Sequence, residues 1–377
     1  MNDTTKAQNN FTGVTAWHDA GFTGKGVTVW NREGTADHGT GTRRRVLDAA
    51  PDATVLNAAH NIETQGGVIL KDRIQDGVLS VNADAFIGSH GISIVTCSMG
   101  GKSDRDKAMA TLFGGVQRKY NLTMFNSAGN DGAGGVSGGS LPESVAMYVG
   151  ACMAYKDNYS DLRMWNYSSI GAEHDQVDFS TFTGGLSGTS FSAPYLAGMA
   201  ALLQQRYGKD MTAEEIYSYF RMCSRPIDTG HTQDGYDLWS GYGIPILPDP
   251  KKTLVRMTIG SKEYKIDGQK RTMDTAPFIW RSRTFVPVAF VALALGAAVN
   301  WQPQDKLVTI GKDTTLTMQI GKPSYTVWNK GRSTVHKMDV APFIRDQRTF
   351  VPIAFVAEAL GCKVSWIESE RKVMVLG

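Results

Sequence analysis

The segment TFVPVAFVALALGAAVNW (284–301) returns almost unchanged as TFVPIAFVAEALGCKVSW (349–366), and MDTAPFI (273–279) returns as MDVAPFI (338–344) at the same spacing. Two separated blocks that share one offset mean a duplicated structural unit, because chance similarity does not preserve spacing. Each copy has a proline (Pro287, Pro352) suited to a first helical turn and a glycine (Gly296, Gly361) suited to a helix end. KLVTIG and KVMVLG read as strands that flank each copy. The last third of the chain is therefore expected to be α+β, two repeats of strands plus one short helix. The Pro-rich, charged stretch ILPDPKKT (246–253) reads as a boundary. The expected division is a first domain over 1–248, a linker over 249–253 and the repeat domain over 254–377.

Ahead of the boundary, apolar strand-like runs alternate with helix-like patterns. TVLNAA (54–59), ISIVTCS (92–98), LTMFNSAG (122–129) and VAMYVGACM (145–153) read as strands. QDGVLSVNADAFIGSHG (75–91), RDKAMATLFGGVQRKY (105–120), SAPYLAGMAALLQQRYG (192–208) and TAEEIYSYFRMCS (212–224) read as helices, the last opened by a Thr212/Glu215 capping box. Such alternation predicts an α/β domain with a parallel sheet and helices on both faces. The 377 residues carry 39 basic and 36 acidic side chains, a net charge of +3, so no global field points to nucleic acid or a membrane surface. No run approaches the roughly 18 apolar residues of a membrane span. Cys97, Cys152, Cys223 and Cys362 are scattered without metal spacing and read as buried free thiols.

The chemistry concentrates in two places. In SGTSFSAPYLAGMAALL (187–203) a turn of small residues presents Ser190 just ahead of an apolar helix. A serine placed there has backbone N–H groups nearby that stabilise an oxyanion, but its hydroxyl needs a histidine base and an orienting acid. WNREGTADHGTGT (30–42) supplies both types within a few residues: Glu33, Asp37 and His38.

These segments resemble the subtilisin-like serine proteases, the subtilases. GTSFSAP is similar to the family's nucleophile motif, HGTGT (38–42) to its histidine motif, and FTGKGVTV (22–29) to the lead into the strand that ends in its catalytic acid. APDATV (50–55), CSMGG (97–101), SAGNDG (127–132) and SGYGIP (240–245) resemble further family segments, in family order over the first two-thirds of the chain. The resemblance implies a serine endopeptidase of subtilisin-like α/β fold that hydrolyses peptide or protein substrates through an acyl-enzyme. Ser190 would be the nucleophile and His38 the base. Asn130 would donate to the oxyanion with the backbone N–H of Ser190. Ser98, Met99 and Gly100 would pair with an extended substrate. Counting along GVTV puts Glu33 at the place of the acid, with Asp37 as the alternative. Asp131, beside Asn130, suggests a preference for basic or large apolar side chains.

The chain departs from the family pattern in ways that shape further expectations. Only five positions separate Glu33 from His38, where the family usually inserts a longer segment. RRRVL (43–47) follows the histidine motif where the family is small and apolar; three adjacent arginines cannot all be buried unpaired. They are expected on a helix exposed to water, or meeting acids on a partner or the second domain. The connection from His38 to Ala50–Pro51 is too short for the family's calcium loop, so no calcium is expected there, no other metal or cofactor is expected, and calcium elsewhere stays open. The repeat domain resembles the copper amine oxidase N-terminal-like, or stalk, domain, with a single histidine, His336, and no copper site expected. Similar domains often sit on bacterial surface proteins, which implies docking to a protein or cell-surface partner. The polar N-terminus, without a signal peptide or pro-domain, instead suggests a cytoplasmic start. The alternative is a catalytically impaired subtilase-like binding scaffold.

Overall fold

A computed structural model describes the chain except for residues 66–67, 77–78, 99–105, 136–144, 172–175 and 312–313. It forms two compact units, Met1–Pro250 and Lys251–Gly377.

The first unit opens with helices α1 (Asp3–Phe11) and α2 (Val14–Asp19). Its elements then run β1 (Thr28–Asn31), α3 (Asp37–Ala49), β2 (Thr54–Asn57), β3 (Ala59–Gln65), β4 (Val68–Asp76), β5 (Leu79–Val81), α4 (Ala83–His90), β6 (Ile94–Cys97) and α5 (Asp106–Tyr120). After these come β7 (Thr123–Ser127), β8 (Met147–Ala154), β9 (Leu162–Met164), β10 (Phe179–Phe182), α6 (Ala193–Tyr207) and α7 (Ala213–Cys223). The main sheet has the order β10-β8-β7-β6-β1-β2, all parallel, with β9 antiparallel on β8. Its central strands are buried on both faces, which is why they read as continuous apolar runs rather than alternating ones. Trp30 of β1 points to the side where Phe86 of α4 and Phe113 of α5 pack around it. The opposite side is filled by α6, which is buried along almost its whole length. Helix α3 lies against α6 so closely that a Cβ on Gly198 would stand 2.5 Å from the Val46 carbonyl oxygen. Only glycine permits that approach.

The sequence reading of this unit needs two corrections. Residues 75–91 are not one helix: β4 runs to Asp76, β5 covers Leu79–Val81, and α4 starts only at Ala83, where the Asn82 side chain caps it by accepting from Ala85 N–H at 2.8 Å. Strands β3, β4 and β5 form a separate antiparallel sheet. The arginine run also differs from expectation. Arg43 and Arg44 are exposed or nearly so, but Arg45 is 1% exposed and finds its acid inside its own helix, with Nη1 2.7 Å from Asp48 Oδ2. It also donates to the carbonyls of Phe182 (2.9 Å) and Phe191 (3.2 Å) and lies over the Tyr195 ring. Burial pushes its guanidinium below the ordinary arginine value, while Tyr195 and Asp48 pull the other way. Cys97, Cys152 and Cys223 are buried and Cys362 partly buried, and none forms a disulfide among the described residues, in line with their apolar surroundings.

The second unit is α+β. Two five-stranded antiparallel sheets flank the repeats, and each repeat adds one short helix, α8 (Val288–Ala294) or α9 (Ile353–Ala359). A four-stranded sheet joins the copies by antiparallel pairing of Arg283–Pro287 with Arg348–Pro352. The prolines end these strands immediately before the helices, one step earlier than the first helical turn. Val286, Val288, Val351 and Ile353 from the two copies share one core. Arg283 pairs with Asp339 at 2.6 Å, and the equivalent Arg348 pairs with Asp274, so each repeat clasps the other in the same way. His336 stacks on Tyr325.

Candidate active site

Glu33, His38, Ser98, Asn130 and Ser190 gather toward the carboxyl ends of the parallel strands, where α/β sheets bind their ligands. β1 is the switch point of the sheet. The chain first adds β2 on one side and later β6 on the other. Glu33 follows β1, Ser98 follows β6 and Asn130 follows β7.

Strand β1 ends in a tight turn, in which Glu33 N–H donates to the Asn31 carbonyl at 2.7 Å. The turn brings the Glu33 side chain, 7% exposed, back to His38 at the start of α3. Glu33 Oε2 lies 3.3 Å from His38 Nδ1, and Oε1 is buried with no hydrogen-bond partner among the described residues. The loop is compact because Gly39 lies directly beneath the Gly34 carbonyl, where a side chain has no room. Asp37 is exposed in the first turn of α3, where its charge suits the helix N-terminus. Asn31, missed in the sequence reading, sits beneath this loop: its amide donates to Thr42 Oγ1 (2.9 Å), Asn57 Oδ1 (3.0 Å) and the Gly39 carbonyl (3.2 Å). It ties the end of β1 to α3 and so fixes the spacing between Glu33 and His38.

His38 is half exposed, and its ring packs 5.6 Å from the ring of Phe191. Phe191 closes the 3-10 turn Thr189–Phe191 that carries Ser190 and leads into α6, with Pro194 in the first helical turn. Ser190 and Ser98 are doubly linked: Ser98 Oγ donates to the Ser190 carbonyl at 2.8 Å, and Ser190 Oγ to the Ser98 carbonyl at 3.4 Å. Among the described residues the Ser190 hydroxyl has no hydrogen bond to His38. Asn130 is exposed and faces the same turn; its Oδ1 accepts from Thr189 N–H (2.9 Å) and Thr189 Oγ1 (3.1 Å). Met99 and Gly100 lie outside the described residues. The Asp131 backbone N–H donates to Ser169 Oγ at 3.1 Å.

Around Arg32 lies a second polar cluster that sequence spacing did not reveal. Arg32 Nε donates to His60 Nδ1 at 3.0 Å, and His60 Nε2 meets Asp72 Oδ1 at 2.6 Å. No cluster of three or more His, Cys, Asp or Glu that could hold a metal occurs among the described residues.

The profile of the Subtilase family matches residues 34–243, more than half of the chain. The chain belongs to the subtilase family, whose members are serine endopeptidases. His38, Asn130 and Ser190 fall inside the match, and Glu33 stands one residue ahead of it. The Copper amine oxidase N-terminal domain matches residues 249–310 and 265–375, one stretch overlapping the other across the repeats.

Among solved structures, the chain is similar to MycP1 from Mycobacterium smegmatis, at 18% identity and a TM-score of 0.45, over 64% of this chain and 85% of that one. The prenylagaramide maturation protease PagA is similar at 17% identity and a TM-score of 0.48, over 63% and 96%. Fervidolysin from Fervidobacterium pennivorans, a keratinolytic enzyme related to subtilisin, is similar at 14% identity and a TM-score of 0.41, over 77% and 55%. No curated protein sequence matches the chain. No helix among the described residues is long and apolar enough to cross a membrane.

Proposed function

We propose that the chain cleaves peptide bonds through an acyl-enzyme on Ser190, with His38 as general base and Glu33 as its orienting acid. The observation that carries this reading is the buried Glu33 carboxylate at 3.3 Å from His38 Nδ1. A carboxylate there holds the tautomer that leaves Nε2 free to take the serine proton, and stabilises the imidazolium that follows. In the first step Ser190 Oγ attacks the scissile carbonyl carbon while its proton passes to His38 Nε2. The carbonyl oxygen becomes an oxyanion, met by the Asn130 amide and the Ser190 backbone N–H. The imidazolium then gives its proton to the leaving amine, and water repeats the sequence to release the acid. Catalytic hydrogen bonds often tighten only with substrate in place, so the present Ser190–Ser98 contact is compatible with this order of events. The substrate backbone would pair with the segment that follows β6, by strand addition. No metal or cofactor takes part in this scheme. The second unit would dock the protease to a protein or cell-surface partner.

One observation favours the alternative of an impaired scaffold: the Ser190 hydroxyl is engaged with the Ser98 carbonyl rather than with His38. Labelling with a peptidyl aryl phosphonate separates the two. The enzyme reading expects one phosphonate per chain, absent in Ser190→Ala, together with turnover of casein. Folded protein that neither labels nor cleaves leaves the scaffold.

A further inference from the structure

The side chain preceding Glu33 takes part in none of these steps, yet it is among the most tightly held in the molecule. Arg32 is the central residue of the turn closed by Glu33 N–H and the Asn31 carbonyl, and its own N–H donates to the Thr96 carbonyl at 2.9 Å. The turn sends Glu33 toward α3 and Arg32 into the opposite core, where its guanidinium lies 5.4 Å from the centre of the Phe113 ring and Nη1 reaches Cys97 Sγ at 3.4 Å. Arginine offers only donors, so the His60 Nδ1 that meets Arg32 Nε is unprotonated. The ring hydrogen is therefore on Nε2 and is donated to Asp72. Asp72 in turn accepts the Ala83 N–H that opens α4, with both oxygens at 3.2 Å. The His60 side chain is fully enclosed, and Arg32 is 3% exposed. Desolvation, helped by the Arg32 charge and opposed by Asp72, lowers the His60 pKa, in keeping with a neutral ring.

A buried guanidinium and imidazole, held by a partly exposed carboxylate, are a costly way to fill a core, since apolar side chains of the same volume give equal or better stability. What the polar set adds is direction. We propose that Arg32, His60 and Asp72 form a positioning clamp, through which the antiparallel sheet β3–β5 fixes the turn that presents Glu33 to His38. The clamp rests on Glu33 being the orienting acid. It also explains why that sheet is there, since β3 carries His60 and β4 carries Asp72.

The test is a cycle on the full chain, read by the rate and affinity of phosphonate labelling at Ser190. The variants are His60→Phe, Asp72→Ala and Asp72→Asn, each alone and combined with Glu33→Gln. Clamp variants are expected to slow labelling about 10- to 100-fold at unchanged inhibitor affinity, the range that sub-ångström to ångström misplacement produces. Asp72→Asn, which keeps an acceptor for Nε2–H, is expected to restore most of the loss seen in Asp72→Ala. In the Glu33→Gln background the same changes are expected to have no further effect. Equal losses in both backgrounds, or a folded Asp72→Ala at the wild-type rate, overturn the clamp. Asp72 is partly exposed, so its variants keep the test decisive where His60→Phe does not fold. Glu33→Gln alone reads the underlying assignment: a wild-type labelling rate there removes Glu33 as the acid, and the clamp with it.

Discussion

Glu33 and His38 lie five residues apart, and the carboxylate of the first reaches Nδ1 of the second at 3.3 Å, the acid buried and the ring half exposed. A strand end, a tight turn and a helix start suffice to bring them together, with no intervening segment to close over them. Glu33→Gln is expected to slow acylation about 10³- to 10⁴-fold, the loss that follows when the base is left in the wrong tautomer. Asp37→Asn, at an exposed helix start, is expected to stay within about twofold of wild type, as surface changes usually do. Phosphonate labelling of the two variants side by side decides which acid serves His38.

In the proposed mechanism Asn130 has two functions, one on each amide atom. Its oxygen accepts from Thr189 N–H and Oγ1, and its amide N–H₂ is the proposed donor to the oxyanion. Asn130→Asp keeps the acceptor and removes the donor, so it is expected to preserve the melting temperature while lowering kcat about 10²- to 10³-fold. A kcat within tenfold of wild type would remove Asn130 from the oxyanion site.

The three adjacent arginines are not equivalent. Arg45→Met leaves Asp48 buried without its partner and is expected to cost about 3–5 kcal/mol in urea unfolding. Replacing Arg43 and Arg44 together by glutamate is expected to change stability by less than about 1 kcal/mol, because neither is buried. Equal effects from the two sets would contradict the placement of Arg45.

His60 makes stability depend on pH. Its folded pKa lies below the ordinary value of 6.5, so between the two the unfolded chain binds the extra proton. Stability is then fully present above the ordinary histidine range and falls with pH until the lowered folded value is passed. Denaturation midpoints measured across mildly acidic pH are expected to flatten in His60→Phe relative to wild type. An identical pH profile in both would show that another group controls the acid limb.

Helix α3 runs unbroken from Asp37 to Ala49, and the proposed mechanism calls on no calcium. Excess chelator is expected to leave both the melting temperature and the labelling rate unchanged. A chelator-induced drop in melting temperature, reversed by added calcium, would reveal a site elsewhere in the chain.

Much of the parallel sheet is readable because strands such as β6 and β8 are rich in apolar residues and the helices between them are long, whereas β10, Phe179–Phe182 with a central Ser-Thr pair, gives no such signal. α6 and α7 begin within a residue or two of the positions that Pro194 and the Thr212/Glu215 box suggest. The stretch 75–91 misleads because Asn82, an ordinary helix cap, is absorbed into a longer apolar pattern that includes the short strand Leu79–Val81. The Arg32–His60–Asp72 set is invisible for another reason. Its members lie far apart in sequence and meet only through the register of β3 on β4, where His60 faces Ile74 and Ile62 faces Asp72. Arg45 and Asp48, by contrast, stand three apart on one helix, and that pair is there to be read.

In the second unit, Arg283 holds Asp339 and Arg348 holds Asp274, and the strands that meet between the copies belong one to each. A pair of ion pairs with the roles exchanged across one strand pairing is an internal twofold relation, like the self-complementary interface of a symmetric dimer. Each repeat thus lends its partner an aspartate and a strand edge, and the seam between the copies is held from both sides by one chain.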